Sequence, residues 1–316
     1  MIRNAVIASA TALCAFLATA PPAAGAPGPS DGWQRVGSGN LGGVSGMALV
    51  EGAPVAQGLA DAVVVRDNKG DHESRVATLR LRPGRAPAVS ELPWLGVLPA
   101  GLEALDAVPG RPGHYIAVAG RGDAYHIVVA DGRAVVQGVP VALPGRHDGD
   151  DYQSFALHRD RSGRTFAVWA TRGSGPRAAV VSASSVRVGA SGPEFGTVTA
   201  RQEFAAPFPN EDEVRHASDL KVLDDGTVLV SSASNPSVDE GPFASAVYEA
   251  GRLTVNGAHD AVLRLTPKDD LVPFALFTKR DNRKIEAIAF APGRQAVWGT
   301  DDENYGGSVR FDGIGR

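Results

Sequence analysis

Near its C-terminus the chain reads Glu286-Ala-Ile-Ala-Phe290, and after a Pro-Gly turn it continues as Gln295-Ala-Val-Trp298. The first segment begins with an oxygen-bearing side chain, which a small residue and an apolar residue follow. Four more copies of this segment pair occur upstream. Their first segments are Ser45-Gly-Met-Ala-Leu49, Glu103-Ala-Leu-Asp-Ala107, Gln153-Ser-Phe-Ala-Leu157 and Ser218-Asp-Leu-Lys-Val222. A strand pair that recurs every 50 to 68 residues predicts stacked units rather than one continuous sheet.

The rest of the pattern indicates an all-β protein. Short β-branched runs alternate with turn residues, and no sustained helical stripe is present. The repeat spacing matches a four-stranded blade with its loops, so we predict a five-bladed β-propeller. The segment Trp33-Gln-Arg-Val36 precedes the first repeat, and the last repeat lacks a fourth strand. We therefore expect the N-terminal strand to complete the last blade. A sixth blade around Ala261 to Phe277 is the alternative.

The N-terminus has the pattern of a secretory signal. Arg3 precedes the apolar run Ala5 to Leu17, and Ala24-Gly25-Ala26 provides small residues for cleavage. We predict a signal peptide at residues 1–26, a single propeller domain at residues 27–316 and secretion. No segment is long and apolar enough to span a bilayer. The net charge of −4 argues against a nucleic-acid partner, because no basic stripe is available for phosphates.

The leading residues of the repeat indicate a site. Side chains alternate between the faces of a strand, so the leading residues of all five inner strands are expected at one mouth of the central channel. These residues are Ser45, Glu103, Gln153, Ser218 and Glu286. A ring of carboxylate, amide and hydroxyl oxygens is what Ca²⁺ prefers. Without a cation, the converging carboxylates would repel and at least one pKa would rise. The alternative is a polar channel filled with water.

The same segments resemble a known family. Val44-Ser45-Gly46-Met47, Ser218-Asp-Leu-Lys221 and Lys284-Ile285-Glu286-Ala287-Ile288 are similar to inner strands of the calcium-activated nucleotidases, secreted apyrases with five-bladed propellers. The resemblance implies one Ca²⁺ held by a ring of the order Ser, Glu, Glu, Ser, Glu. Gln153 replaces one carboxylate of that ring, and the Gly-Lys-Glu-Trp stretch of the family is absent.

A second resemblance is equally good. Ile285-Glu286-Ala287 with Gly299-Thr-Asp-Asp-Glu-Asn304 is similar to the phytase-like and esterase-like bacterial propellers, which implies a different substrate at a metal-assisted site. For a phosphate ester bound above the metal, the expected clamps are Arg66, Arg121 and Arg172, because guanidinium groups match phosphate oxygens. Asp301-Asp302-Glu303 is interpreted as a solvated acidic patch rather than a second cation site.

These observations predict a Ca²⁺-dependent hydrolase of phosphoric or related esters. The metal would activate water, and Glu103 or Glu286 would receive a proton. The competing hypothesis is a non-catalytic propeller that recognises a glycan, a peptide or another surface partner at the channel mouth. The fold by itself does not separate the two, because propellers serve both purposes. The sequence indicates no oligomeric state.

Overall fold

The computed structural model describes residues 32–209, 214–234, 239–291 and 295–313. In this part of the chain, 23 strands form five separate sheets. The innermost strands of the sheets contact one another in sequence, and the last contacts the first, so the sheets surround a common axis. The predicted five-bladed all-β propeller is confirmed. The predicted signal peptide at residues 1–26 lies outside the described residues.

The strands fall into blades in chain order. The N-terminal strand is β1 (Gln34–Arg35). Blade 1 contains β2 (Gly46–Leu49), β3 (Ala60–Val65), β4 (Val76–Leu81) and β5 (Ala88–Glu91). Blade 2 contains β6 (Trp94–Leu95), β7 (Leu102–Ala107), β8 (His114–Ala119), β9 (Asp123–Ala130), β10 (Arg133–Val136) and β11 (Val141–Ala142). Blade 3 contains β12 (Tyr152–Arg159), β13 (Thr165–Thr171), β14 (Ala179–Gly189) and β15 (Gly192–Phe204).

The two remaining blades complete the ring. Blade 4 contains β16 (Arg215–Val222), β17 (Thr227–Ala233), β18 (Ser245–Val255), β19 (Ala261–Leu265) and β20 (Pro273–Phe277). Blade 5 contains β21 (Ile285–Ala291), β22 (Gln295–Thr300) and β23 (Ser308–Gly313). Short 3-10 helices occupy Asn40–Gly42, Lys268–Asp270 and Glu303–Tyr305. Among the described residues, no helix is both long and apolar enough to cross a bilayer.

The N-terminal strand closes the ring. β1 pairs antiparallel with β23 and becomes the fourth strand of blade 5, as predicted. Trp33, just before β1, lies between the guanidinium groups of Arg283 and Arg310, which are 4.9 and 5.1 Å from its ring centre. Its ring also meets Phe277 edge-on at 5.7 Å. These contacts hold the N-terminal strand against blades 4 and 5.

The chain forms five blades, and the alternative of a sixth blade is wrong. The segment proposed for it forms β19 and β20, and both strands pair with β18 of blade 4. β18 is long enough for two short strands to pair with its successive halves. The long spacing between the fourth and fifth repeats is therefore taken up within one blade.

The hydrophobic core is divided among the five junctions between neighbouring blades. Each sheet is covered on both faces, so both sides of a strand carry apolar residues. In β22, Ala296 and Trp298 face blade 4, whereas Val297 faces blade 1. This two-residue alternation is what a pleated strand requires. It explains why the repeat consists of apolar runs rather than alternating polar and apolar residues.

Buried polar side chains tie the inner strands together near the middle of the channel. Asp106 accepts a hydrogen bond from the backbone N–H of Leu157 at 2.7 Å, in the next blade. Asp219 accepts one from the N–H of Ile288 at 2.8 Å, again in the next blade. Lys221 donates to a carbonyl oxygen of β7 at 2.8 Å. These bonds link inner strands that share no sheet, and they form a polar layer across the channel.

Candidate functional site

The candidate site lies where the inner strands begin, and local irregularities of these strands shape it. In β7, β12, β16 and β21 the pairing register shifts at the leading residue of the repeat. Such a bulge bends a strand and redirects a side chain. The predicted ring residues are all buried, and they lie at or near the starts of the five inner strands. They are Ser45, Glu103, Gln153, Ser218 and Glu286.

Two cations that flank the ring neutralise one of its carboxylates. Arg215, at the start of β16, forms a short ion pair with Glu286. Lys284, just before β21, lies 3.0 Å from the same carboxylate oxygen and also pairs with Glu303. The ring positions contain no basic residue, but their neighbours in the sequence supply two. The negative charge of Glu286 is therefore balanced by the side chains of Arg215 and Lys284.

The two serines of the ring hold backbone groups. Ser45 Oγ accepts a hydrogen bond from the N–H of Asp67 at 3.0 Å, which fixes the loop after β3. Ser218 Oγ donates to the carbonyl oxygen of Ile285 at 2.8 Å and so joins blades 4 and 5. Gln153 donates to Asp151 at 2.9 Å, and its oxygen lies 3.5 Å from Arg215. These contacts give the three side chains structural partners.

Glu103 differs from Glu286 in its electrostatic surroundings. Burial raises the pKa of Glu103 well above its ordinary value, and the charges of Asp67 and Glu286 raise it further. For Glu286, burial alone would raise the pKa, but the charges of Lys284 and Arg215 outweigh burial and lower it. The pKa values of the two ring carboxyls are therefore shifted in opposite directions, so that Glu103 favours its protonated form and Glu286 its ionised form.

Asp67 is a third carboxyl at this mouth, and it was not among the predicted site residues. Its loop packs against the start of β7, where Gly101 donates to the carbonyl oxygen of Asn68 at 3.2 Å. Gly101 has φ +71°, and a Cβ there would lie 2.4 Å from Asp67 Oδ1. That oxygen is buried and has no hydrogen-bond partner among the described residues. Burial raises the pKa of Asp67, and Lys69 at 3.1 Å opposes the increase.

In the acidic segment after β22, Asp301 and Asp302 are buried and Glu303 is partly exposed, so the interpretation as a solvated patch is wrong for the two aspartates. Asp302 accepts hydrogen bonds from Arg283 and from the Lys284 N–H, both at 2.8 Å. Burial, together with the charge of Glu286, raises the pKa of Asp301 to about 7. Asp302 serves the fold, because it fixes the strand that carries Glu286. The alternation of polar and apolar residues did not reveal this, since the segment lies in a loop.

The three predicted arginine clamps differ in their positions. Arg66 is 2% exposed, and its guanidinium donates to the carbonyl oxygens of Gly42 and Gly43 at 2.6 and 2.8 Å. Its remaining N–H groups pair with Glu91. These contacts contradict the predicted role of Arg66 in binding substrate. Arg172 pairs with Asp151 at 3.2 Å, and its positive charge reaches Glu286. Arg121 is exposed. For Arg121 and Arg172, ligand binding stays a prediction.

The donor set does not fit the five-oxygen calcium site expected from the sequence. Calcium needs six to eight oxygen ligands, whereas both serine hydroxyls bond to the backbone and Glu286 is paired with two cations. Those cations would repel a metal ion. Within the described ranges, no group of three or more His, Cys, Asp or Glu side chains is arranged to hold a metal. Calcium binding remains a prediction of the sequence that these contacts do not support.

Comparisons with known proteins support the propeller fold but not a family or an activity. No protein-family model matches the chain, and no curated protein matches it. A glycosyl hydrolase from Bacteroides ovatus is 11% identical with a TM-score of 0.45, and the match covers 90% of this chain and 88% of that one. A putative exo-beta-1,3-galactanase from Bifidobacterium bifidum is 10% identical with a TM-score of 0.44, covering 90% and 94%. The WD40 repeats of RRP9 are 14% identical with a TM-score of 0.37, covering 85% and 67%. Likeness at this level supplies no argument about the activity of this chain, and the resemblance to apyrases stays a prediction.

Proposed function

We propose that this chain is an exported hydrolase that cleaves a bond to an oxygen leaving group at the ring mouth of the channel, with Glu103 as the proton donor. The opposite pKa shifts of Glu103 and Glu286 at one mouth carry the proposal. Paired carboxyls whose environments push their pKa values apart are typical of acid–base catalysis. The raised pKa of Glu103 favours its protonated form, which a general acid requires.

Asp67 is the better candidate for the base. A useful base has a pKa near the working pH, and the two cations lower the pKa of Glu286. Burial raises the pKa of Asp67, although the charge of Lys69 and a hydrogen bond with Glu103 oppose the increase. In the proposed reaction, Asp67 takes a proton from water while the water oxygen attacks the substrate. The bond to the leaving oxygen breaks, and the proton of Glu103 passes to that oxygen.

Glu286 then acts as a positioning residue. Arg215 and Lys284 keep it ionised, and its negative charge helps to keep Glu103 protonated. The predicted catalytic role of Glu286 in receiving a proton becomes an electrostatic one. Arg215 also lies within 3.5 Å of Gln153, so the ion pair spans the mouth from blade 3 to blade 5.

The charge balance of the mouth favours an uncharged substrate. Six carboxyl groups and four cations of the described residues lie there, but burial raises the pKa values of Asp67, Glu103 and Asp301 and so favours their uncharged forms. The mouth therefore lacks the excess positive charge that would attract a polyanion such as a nucleotide. The carboxyl groups are Asp67, Glu103, Asp151, Glu286, Asp301 and Glu303, and the cations are Lys69, Arg172, Arg215 and Lys284. Glycosides and carboxylic esters therefore suit the site better than the phosphoric esters that the resemblance implies.

A non-catalytic binding propeller is the second candidate. It is favoured by the direct ion pairs of Glu286, because such pairs also stabilise a channel that has no chemical task. In that case the exposed loops around the mouth would recognise a glycan, a peptide or a surface partner. The two candidates differ in whether protonated Glu103 has a chemical consequence.

An activity survey separates them. The purified chain would be assayed on aryl glycosides, aryl carboxylic esters, aryl phosphates, nucleotides and phytate, each with and without a chelator. We expect turnover of a glycoside or carboxylic ester that the chelator leaves unchanged. The rate should fall as the pH rises through the raised pKa of Glu103, because the proton donor is then lost. Absence of turnover on every substrate would favour the binding propeller, and chelator-sensitive cleavage of nucleotides or phytate would restore the calcium-dependent hydrolase.

A further inference from the structure

A cavity of about 990 Å³ opens at the end of the channel opposite the ring. Residues near the ends of all five inner strands line it, so it lies on the propeller axis. One lining residue from each blade in turn is Leu49, Ala107, Leu157, Val222 and Ala291. Its volume is at the upper end of the range of small-molecule sites, which is about 300 to 1,000 Å³.

The polar layer of the inner strands separates this cavity from the ring mouth. Lys221 and Asp106 line the cavity floor, and Asp219 lies behind them, fully buried. Lys221 lies 3.7 Å from Asp219 and donates to the backbone of β7. A ligand in the cavity would therefore not contact Glu103, and the cavity is distinct from the proposed hydrolytic site.

Apolar side chains form a preformed wall. Phe274 and Phe290 line the cavity, and their ring centres lie 6.3 Å apart. Both rings pack against buried Trp298, at 6.2 and 5.7 Å. Leu157 contributes aliphatic surface from blade 3. Because these aromatic rings support one another, the wall is rigid before a ligand arrives.

The charged groups of the cavity are mostly acidic. Among the residues that the structure describes, five carboxyl groups line it against two cations, and the carboxyls are those of Glu51, Asp106, Asp224, Asp225 and Glu249. One of the two cations, Arg252, is paired with Asp225 at 3.0 Å, and the other, Lys221, bonds to backbone carbonyls. Glu51 accepts a hydrogen bond from Gly110 through Oε1, whereas its buried Oε2 has no partner among the described residues.

We propose that this cavity binds a small organic amine, with an ammonium group that meets the carboxylates and an apolar body that packs on Phe274 and Phe290. A cleft with low-dielectric walls and one dominant sign of charge concentrates ligands of the opposite sign. An anion of the same shape would face the excess carboxylates. A neutral analogue would lose the electrostatic attraction and keep the apolar contact.

Calorimetric titration of the intact chain tests the proposal with three probes of similar shape: phenethylamine, 2-phenylethanol and 3-phenylpropionate. We expect saturable binding of phenethylamine, at least tenfold tighter than that of 3-phenylpropionate, with 2-phenylethanol between them. Asp224 is exposed at the rim, so Asp224→Lys should fold normally and weaken phenethylamine binding about tenfold. Asp148→Lys makes the same charge change at an exposed position that does not line the cavity.

The outcomes are distinct from those of the activity survey. Selective amine binding that Asp224→Lys weakens and Asp148→Lys spares supports the proposal, whether or not the chain is a hydrolase. Absence of phenethylamine binding, equal binding of the amine and the carboxylate, or equal weakening by both substitutions would overturn it. Melting curves of the two variants show whether a loss of binding reflects a loss of folded protein.

Discussion

Glu286→Gln is expected to lower the free energy of unfolding by about 3 kcal/mol, because it leaves Arg215 and Lys284 buried without their shared counter-charge. Gln has nearly the shape of Glu, so the effect isolates the charge. The lowered pKa of Glu286 means that this stabilisation is present above the ordinary pKa of 4.5 and is lost as the pH falls through the lowered value. Urea unfolding at pH 7 and at a series of pH values below 4.5 measures both effects.

Glu303→Gln is the matched control. Glu303 pairs with the same Lys284, but 30% of its side chain is exposed, so its loss should cost about 1 kcal/mol or less. Both variants would be melted with calcium and with a chelator. A ring held together by side-chain ion pairs predicts the same loss under both conditions. A calcium site would give a different result. In chelator, Glu286→Gln would be as stable as the unmodified chain, and added calcium would stabilise the unmodified chain but not the variant.

Glu103→Gln is expected to reduce turnover by about 100- to 10,000-fold, the usual contribution of a positioned proton donor. The glutamine amide has the shape of the protonated acid but cannot transfer its proton. The residual rate should lose the fall at high pH that Glu103 imposes. Steady-state rates across pH, on the substrate that the activity survey identifies, measure the effect.

Glu103→Gln should lower turnover without lowering the free energy of unfolding. A raised pKa means that Glu103 contributes stability below its ordinary value of 4.5, and this contribution is lost as the pH rises through the raised pKa. Gln avoids that loss, so Glu103→Gln should be at least as stable as the unmodified chain at pH 8. Asp71→Asn, an exposed change in the loop that carries Asp67, should leave turnover unchanged. Equal turnover in Glu103→Gln and the unmodified chain would remove Glu103 from catalysis.

The fold was predictable because it depends on local patterns repeated along the chain. Each inner strand carries the same order of residue types, and the unpaired strand around Trp33 matched the strand missing from blade 5. The sixth blade was a wrong alternative, because counting residues between repeats does not show that β19 and β20 share β18 as a partner.

The site was predictable only in part. The alternation of strand side chains placed the leading residues at one mouth, but charge pairing depends on contacts between distant segments. Arg215 and Glu286 are 71 residues apart, and nothing in either segment alone indicates that they meet. Lys284, two positions before Glu286, was the available signal, since adjacent side chains on one face of a strand are two residues apart. Arg66 was misassigned because its burial follows from the packing of a loop.

A carbon-13 NMR titration of the glutamate side-chain carboxyls measures the two opposite pKa shifts at the ring, with Glu103→Gln and Glu286→Gln used to assign the two signals. We expect Glu286 to remain ionised below pH 4.5 and Glu103 to remain protonated well above it, without added metal. Titration of both groups together near pH 4.5 would contradict this expectation, because the mouth would then contain two carboxylates and no proton donor at neutral pH.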